Sequence, residues 1–251
     1  MNYQLSTQST NQLNQPINDP NPLNELNEFN EPMDIDRNFI SGVKGFLDAD
    51  EGRCLYETAL QAACLGPCLE VGSYCGKSAL YLGTACQKRG GILFSIDHHR
   101  GSEEQQPGEQ YFDPELFDPR SGQIDTFREF RKTIETAGLQ DTVVPLVCRS
   151  EVAARSWSTR LSLVFIDGGH ALETVFADYN LWVGHIMSGG YLLLHDIFPD
   201  PAQGGQAPFH IYNLALDSGL FRSVSMVKTL GVLQRRSAGQ LPDRFQTGKL
   251  E

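Results

Sequence analysis

Two groups of ionisable residues each follow a short apolar run in the second half of the chain. Asp167-Gly168-Gly169-His170 comes directly after Leu161–Ile166, and His195-Asp196 comes after Tyr191–Leu194. Because the carboxyl ends of neighbouring parallel strands meet at one edge of a sheet, we expect these groups to share a cleft. Carboxylates and imidazoles that crowd together repel or desolvate one another unless a proton or a cation joins them. The pattern predicts a divalent-metal site at Asp167, His195 and Asp196, where carboxylates favour Mg²⁺ and a histidine favours Mn²⁺, Fe²⁺ or Zn²⁺.

A glycine-containing turn lies earlier in the chain, at Glu70-Val71-Gly72-Ser73-Tyr74-Cys75-Gly76-Lys77-Ser78. It joins an apolar run to a helical pattern, which is where α/β proteins hold nucleotide-like cofactors. A dinucleotide turn needs a glycine where this chain has Tyr74, and a phosphate loop needs one more residue before Gly-Lys-Ser. Glu70 would also repel a pyrophosphate, so the turn favours a ligand that carries positive charge.

The elements that must position these residues alternate along the chain. Continuous apolar runs separated by helical patterns are typical of a parallel sheet that is covered on both faces. We predict strands at Cys68–Val71, Ile92–Ile96, Val143–Cys148, Leu161–Ile166 and Tyr191–Leu194. We predict helices at Glu51–Leu65, Lys77–Lys88, Ile124–Ala137, Val152–Trp157 and Leu172–Ile186, and another near Phe209–Ser218.

The last two apolar runs, Phe221–Val227 and Leu230–Arg235, are separated by two residues and predict an antiparallel pair. The predicted fold is therefore α/β: a doubly wound, Rossmann-like sheet of seven strands, five parallel plus a C-terminal antiparallel hairpin. We expect one domain at 37–236. It lies between a disordered, Asn/Gln/Pro-rich tail at 1–36 and a flexible tail at 237–251.

Charge and composition restrict the partners. The formal net charge of −11 argues against a nucleic-acid surface or an anionic membrane as the partner. The chain has neither an apolar run of membrane-spanning length nor a basic, apolar leader at its start, so we expect a cytoplasmic protein. The six cysteines form no CxxC pair and are expected to be reduced thiols. A homo-oligomer is compatible with this sequence.

Residues 98–122 show no helical or strand period and begin at the carboxyl end of the second predicted strand. Long loops at that edge of an α/β sheet are usually functional. We interpret this segment as a lid or a substrate-contacting loop, with a solvated insertion as the alternative.

The turn from Glu70 to Ser78 resembles motif I of class I S-adenosylmethionine-dependent methyltransferases, in the bacterial branch spelled E-[IV]-G-x-x-x-G-[KR]-S. Phe165-Ile166-Asp167-Gly168-Gly169-His170 and the run from Gly189 to Asp196 resemble later strands of that branch, and Glu51–Glu57 resembles the helix before motif I. The resemblance spans about 40–235 and implies S-adenosyl-L-methionine as the cofactor.

The resemblance also implies roles for individual residues. The methionine part of the cofactor would lie against the turn, with Glu70 near its ammonium, and Asp97 would accept hydrogen bonds from the ribose hydroxyls. Adenine contacts would come from Ser150 and Glu151, although Ser150 could simply cap a helix. The cofactor-binding set is Glu70, Gly72, Ser73, Tyr74, Gly76, Ser78, Asp97, His98, Ser150, Glu151 and Asp167.

The site is further similar to that of metal-dependent O-methyltransferases of the catechol type. They carry an acid at the position of Asp167 and a basic catalytic residue at the position of His170, which implies that His170 deprotonates a hydroxyl; His98 and His99 are rival bases. This chain has His195-Asp196 where those enzymes have Asp-Asn. An alternative is therefore that His195 and Asp196 only hydrogen-bond the following loop.

These inferences predict a methyltransferase that acts on a small-molecule acceptor, at oxygen, with possible help from a divalent cation such as Mg²⁺. Two alternatives stay open. One is a non-catalytic module that binds S-adenosylmethionine or its nucleoside, and the other is a family relative with different chemistry, such as hydroxylation.

Overall fold

A computed structural model of the chain describes residues 32–169 and 171–237. Its strands, in chain order, are β1 (Cys68–Val71), β2 (Leu93–Asp97), β3 (Phe117–Asp118), β4 (Gln123–Ile124), β5 (Val143–Val147), β6 (Leu161–Ile166), β7 (Ile186–Leu194), β8 (Phe221–Val227) and β9 (Leu230–Arg235). Its α-helices are α1 (Arg37–Gly42), α2 (Ala49–Ala62), α3 (Lys77–Lys88), α4 (Phe127–Thr136), α5 (Ser150–Ala154), α6 (Leu172–Trp182) and α7 (Ala207–Asp217).

Seven of these strands form one sheet in the order β5-β2-β1-β6-β7-β9-β8. The first five in that order run parallel, and β9 lies antiparallel between β7 and β8. The strand order therefore reverses between β1 and β6, which is the topological switch point where α/β sheets bind ligands. The predicted α/β, Rossmann-like architecture is confirmed.

The two central strands are buried because helices cover both faces of the sheet. Along β6, Leu163 and Phe165 pack into one core with α2, α3 and α4, while Val164 and Ile166 pack into the other with α6 and α7. Successive side chains of a strand point to opposite faces, so a strand that is buried on both faces is apolar at most positions. This explains why β1 and β6 are largely apolar; their polar members, Glu70 and Ser162, are buried and hydrogen-bonded.

Several predicted boundaries differ from the structure; the largest shifts include β7, which begins at Ile186 and not at Tyr191, and the helix predicted at Val152–Trp157, which spans Ser150–Ala154. The helix predicted from Ile124 begins at Phe127, because Gln123–Ile124 pairs with Phe117–Asp118 in a small hairpin. The helix predicted to end at Ile186 ends at Trp182, where a 3₁₀ turn leads into β7. The helix predicted from Glu51 begins at Ala49, because Asp48 and Glu51 form a capping box.

The predicted domain limits fall partly outside the described residues, and they stay a prediction. Within the described part of the predicted N-terminal tail, Met33 and Ile35 pack against the core. Among residues 32–169 and 171–237, no helix has the length and apolar character needed to cross a bilayer.

Candidate cofactor and metal site

A cleft of about 1390 Å³ opens at the carboxyl edge of the sheet, at the switch point. Its walls come from the turn after β1, the ends of β2, β6 and β7, the start of α5 and the 98–122 segment. The predicted site residues that line it are Gly72, Ser73, Tyr74, Ser78, Asp97, His98, Ser150, Glu151, Asp167, His195 and Asp196. The fold thus brings most of the predicted cofactor and metal residues to one cavity.

Asp97 holds the glycine turn in place. Its Oδ2 accepts hydrogen bonds from the backbone N–H groups of Ser73 (3.0 Å) and Tyr74 (2.8 Å), and its Oδ1 accepts one from His99 (2.7 Å). Gly72 and Tyr74 have positive φ angles of 88° and 46°. Because a non-glycine residue such as Tyr74 disfavours a positive φ, the turn needs stabilisation, and the hydrogen bonds from backbone N–H groups to the Asp97 carboxylate provide it.

Glu70 and Gly76 were both predicted to contact the cofactor, but among the described residues they do not line the cleft. Glu70 is fully buried beneath the turn, where Ser78 Oγ donates to it at 2.8 Å and the Ser95 hydroxyl donates to its other oxygen. Gly76 faces α4, because a β-carbon there would lie 3.2 Å from Phe130. Both residues shape the turn from behind.

Burial changes the acidity of Glu70. Desolvation raises the pKa of Glu70 to about 7, and the nearby charges of Asp167 and Asp97 raise it further by smaller amounts. The hydrogen bonds from Ser95 and Ser78 lower this pKa but do not cancel the effect of burial. The link between Glu70 and the cleft is Ser78, a residue that lines the cavity and whose hydroxyl donates to Glu70.

At the other end of the cleft, Ser150 supports α6. Its Oγ accepts a 2.7 Å hydrogen bond from Trp182 Nε1. The same hydroxyl hydrogen-bonds Asp178, which is buried. Desolvation raises the pKa of Asp178 to about 6, although the hydrogen bond from Ser150 lowers it. Asp178 also lines the cleft. Asp178 is not among the predicted site residues, because an acid on a predicted helix carries no signal of burial.

The acid–histidine cluster (Asp167, His195 and Asp196) forms as predicted. His195 Nδ1 lies 3.2 Å from Asp167 Oδ1 and 3.4 Å from Asp196 Oδ2, and one ligand atom from each residue falls within 4.8 Å of the others. Asp196 has a φ of 57°, in the left-handed region that few non-glycine residues adopt. The structure therefore presents three potential metal ligands together.

Glu51 completes the cluster from behind. Its Oε2 lies 3.0 Å from His195 Nε2, so the imidazole is enclosed by carboxylates on both sides. Burial alone would lower the pKa of His195, but Asp167, Asp196 and Glu51 together raise it to about 12. Desolvation likewise opposes ionisation of Glu51, yet its hydrogen bonds with His195 and Thr229 leave its pKa below the usual value. The centre is built to hold positive charge, either on the imidazole or on a cation.

Sequence reasoning assigned no role to Glu51. It lies on a helix far from β7 in the chain, and its only local signal was the capping box with Asp48.

The predicted bases occupy different places. His98 is exposed and lines the cleft, with its Nδ1 accepting from the Arg100 N–H at 3.0 Å. His99 is buried, its Nδ1 lies 2.7 Å from Thr126 Oγ1, and burial lowers its pKa. His99 therefore links the start of the 98–122 segment to Thr126, the residue directly before α4. His170 lies outside the described residues, so its role as a base stays a prediction.

The 98–122 segment forms one rim of the cleft. Lys44 Nζ pairs with Asp113 at 2.5 Å and with Glu115 at 2.6 Å, which ties this rim to the segment between α1 and α2. Phe46 packs against Tyr111 and Tyr74, with ring centroids 5.2 Å and 6.1 Å away. Because Phe46 is 65% exposed, this aromatic cluster presents open ring faces at the mouth of the cleft.

Several solved structures share this architecture. The O-methyltransferase TomG from Streptomyces achromogenes, solved with SAM, is 15% identical with a TM-score of 0.53; the alignment covers 76% of this chain and 82% of that one. An O-methyltransferase from Bacillus cereus, solved with SAH, is 13% identical with a TM-score of 0.56 and coverages of 86% and 90%. A Corynebacterium glutamicum protein is 16% identical with a TM-score of 0.58 and coverages of 86% and 96%. At these identities the likeness shows the fold.

A family model described as a methyltransferase domain matches residues 69–197, more than half of the chain. The matched segment begins in β1, includes the glycine turn and Asp97, and ends just after Asp196. The chain therefore belongs to this methyltransferase-domain family.

Proposed function

We propose that this methyltransferase transfers a methyl group from S-adenosylmethionine to an oxygen of a small-molecule acceptor, with a divalent cation at the acid–histidine cluster. The observation that supports this most strongly is that the glycine turn and the acid–histidine cluster line the same cleft. A methyl donor and a metal-bound acceptor must lie side by side for such a transfer.

The residues present fit the cofactor. Gly72 lets the turn approach the backbone at the end of β6 closely, and the buried Ser73 hydroxyl has no hydrogen-bond partner among the described residues. A ligand that fills the cleft would satisfy this hydroxyl. The turn, Asp97 and the Ser150–Glu151 pair would hold the cofactor, which supplies an electrophilic methyl group when bound. Relatives of the same fold that were solved with SAM or SAH support this choice.

The acid–histidine cluster also fits a divalent cation. Two carboxylates and one imidazole form a donor set that suits Mn²⁺, Fe²⁺ or Zn²⁺, and the carboxylates suit Mg²⁺. Asp167, His195 and Asp196 would hold the ion, which lowers the pKa of a coordinated hydroxyl when bound. His170 is the proposed general base, as its sequence position suggests.

The mouth of the cleft favours a small acceptor. The Lys44–Asp113 and Lys44–Glu115 pairs hold the rim beside the exposed faces of Phe46 and Tyr111, which can pack against an apolar or aromatic group. The net charge of −11 argues against a nucleic acid as the acceptor.

Turnover tests the proposal. Formation of S-adenosylhomocysteine would be followed with a panel of phenols, catechols and sugar hydroxyls, before and after treatment with EDTA. We expect turnover with at least one hydroxyl acceptor, and a loss of about 100-fold or more in Asp167→Asn and after metal removal. Full activity after EDTA treatment would remove the cation from the mechanism. Undiminished activity of Asp167→Asn would show that the proposed centre is wrong.

A further inference from the structure

Glu51 is held by two separate parts of the fold. Its Oε1 accepts hydrogen bonds from Thr229 N (2.9 Å) and Thr229 Oγ1 (2.7 Å), in the turn between β8 and β9. Its Oε2 accepts from Asp48 N at 3.1 Å and lies 3.0 Å from His195 Nε2. Lys228 adds ion pairs to Asp48 at 2.6 Å and Asp50 at 3.2 Å. The start of α2 and the hairpin turn thus form one support behind β7.

These contacts require a carboxylate at position 51. Each oxygen accepts from a backbone N–H that cannot change its role, so neither position suits the NH₂ of an amide. Glu51 is only 3% exposed, and water cannot easily replace either donor. The group that faces His195 is therefore a fixed acceptor.

A fixed acceptor determines which nitrogen of His195 carries a proton. Nε2 must donate to Glu51, and a neutral imidazole has a single N–H. When a cation occupies the cluster, Nδ1 is left with a lone pair for it, and Asp167 Oδ1 and Asp196 Oδ2, at 3.2 Å and 3.4 Å from Nδ1, are the neighbouring ligand atoms. Carboxylates behind a histidine ligand set its tautomer and ring orientation in many metal sites.

We infer that Glu51 is a positioning residue that fixes the His195 ring with Nε2 protonated and presents Nδ1 as a metal ligand. The inference rests on the metal site of the proposed function. It assigns a purpose to a buried acid that does not line the cleft, beyond the capping of α2.

Glu51→Gln tests the inference, with Mn²⁺ alone as the probe and electron paramagnetic resonance as the readout of affinity. We expect Mn²⁺ to bind the variant about 10- to 100-fold more weakly than the wild type. Binding of S-adenosylmethionine, measured by calorimetry, should stay within about twofold, because Glu51 lies outside the cleft. Thr229→Val removes one hydrogen bond to Glu51 and keeps the backbone one, so it should weaken Mn²⁺ binding less, in the same direction.

Glu57→Gln is the matched control. It makes the same change on the same helix, at an acid that pairs with the exposed Arg53. It should leave Mn²⁺ affinity unchanged. The inference is overturned if the folded Glu51→Gln protein binds Mn²⁺ as tightly as the wild type, if Glu57→Gln loses as much affinity, or if the wild type does not bind Mn²⁺. The S-adenosylmethionine titration of the wild type separately reports failure of the proposed function.

Discussion

A β-carbon on Gly72 would lie 2.3 Å from the carbonyl oxygen of Asp167. The turn after β1 and the end of β6 therefore touch through their backbones, one step beyond the paired residues Val71 and Ile166. This approach places the turn next to the acid–histidine cluster, so Gly72 determines how close the two halves of the cleft can lie.

Gly72→Ala should therefore disrupt the cleft. The residue has a φ of 88°, and the new methyl group would meet backbone atoms that cannot turn away. We expect a loss of more than about 1 kcal/mol in the free energy of unfolding, measured by chemical denaturation. Gly122→Ala is the control, because Gly122 has a φ of 67° but nothing within 4 Å of its β-carbon position. An equal loss in both variants would show that close packing at Gly72 is unimportant.

Asp97→Asn should weaken cofactor binding. Both oxygens of Asp97 accept backbone N–H groups, so an amide NH₂ would face a donor on one side and loosen the turn. We expect a loss of about tenfold or more in calorimetric affinity for S-adenosylmethionine. Asp118→Asn makes the same change at an exposed turn, where Asp118 accepts from Arg120 N, and it should leave the affinity unchanged. Wild-type affinity in Asp97→Asn would contradict this account of the turn.

Glu70→Gln should change the pH dependence of stability. The folded-state pKa of Glu70 is raised from 4.5 to about 7, so the wild type loses stability as the pH rises through that window. The amide cannot ionise, and both serine hydroxyls can adapt to it. Relative to the wild type, the variant should gain up to about 3 kcal/mol in free energy of unfolding between about pH 4 and pH 8.

Urea unfolding of both proteins across that pH range measures the gain. If the difference between the two proteins is the same at both ends of the range, the pKa of Glu70 is the same in the folded and the unfolded chain, which contradicts this account of its burial.

Lys44→Gln should loosen the 98–122 rim. The variant removes the ion pairs with Asp113 and Glu115, of which Glu115 is largely exposed. Because exposed pairs contribute little, global stability should change by less than about 1 kcal/mol. Amide hydrogen exchange around Pro114–Leu116 should nevertheless become faster, by up to about fivefold. Lys132→Gln, which removes an exposed pair with Glu129, should not alter exchange there. Unchanged exchange in Lys44→Gln would show that the rim is held by other contacts.

The sequence predicted the central strands β1 and β6 at their observed limits, because both are largely apolar and are followed directly by glycine or aspartate. The hairpin Phe221–Val227 and Leu230–Arg235 was also predicted at its observed limits. The predicted acid–histidine cluster formed because both strand ends lie at one sheet edge, which the alternation of strands and helices already implied.

The remaining parts depend on tertiary contacts that leave little local signal. The β3–β4 hairpin consists of two-residue strands, too short to show a period. Glu70 was expected at the cofactor because its charge was visible, whereas its burial under Ser78 and Ser95 was not. Glu51 meets His195 only after α2, β7 and the hairpin turn have packed together.

The central claim is that the cleft binds S-adenosylmethionine, and calorimetric titration of this cofactor into the full chain tests it most directly. The account predicts saturable binding at one site per chain. It also predicts binding of the product, S-adenosylhomocysteine, and no binding of ATP, since the turn lacks the spacing of a phosphate loop. If neither S-adenosylmethionine nor S-adenosylhomocysteine binds, the account is contradicted.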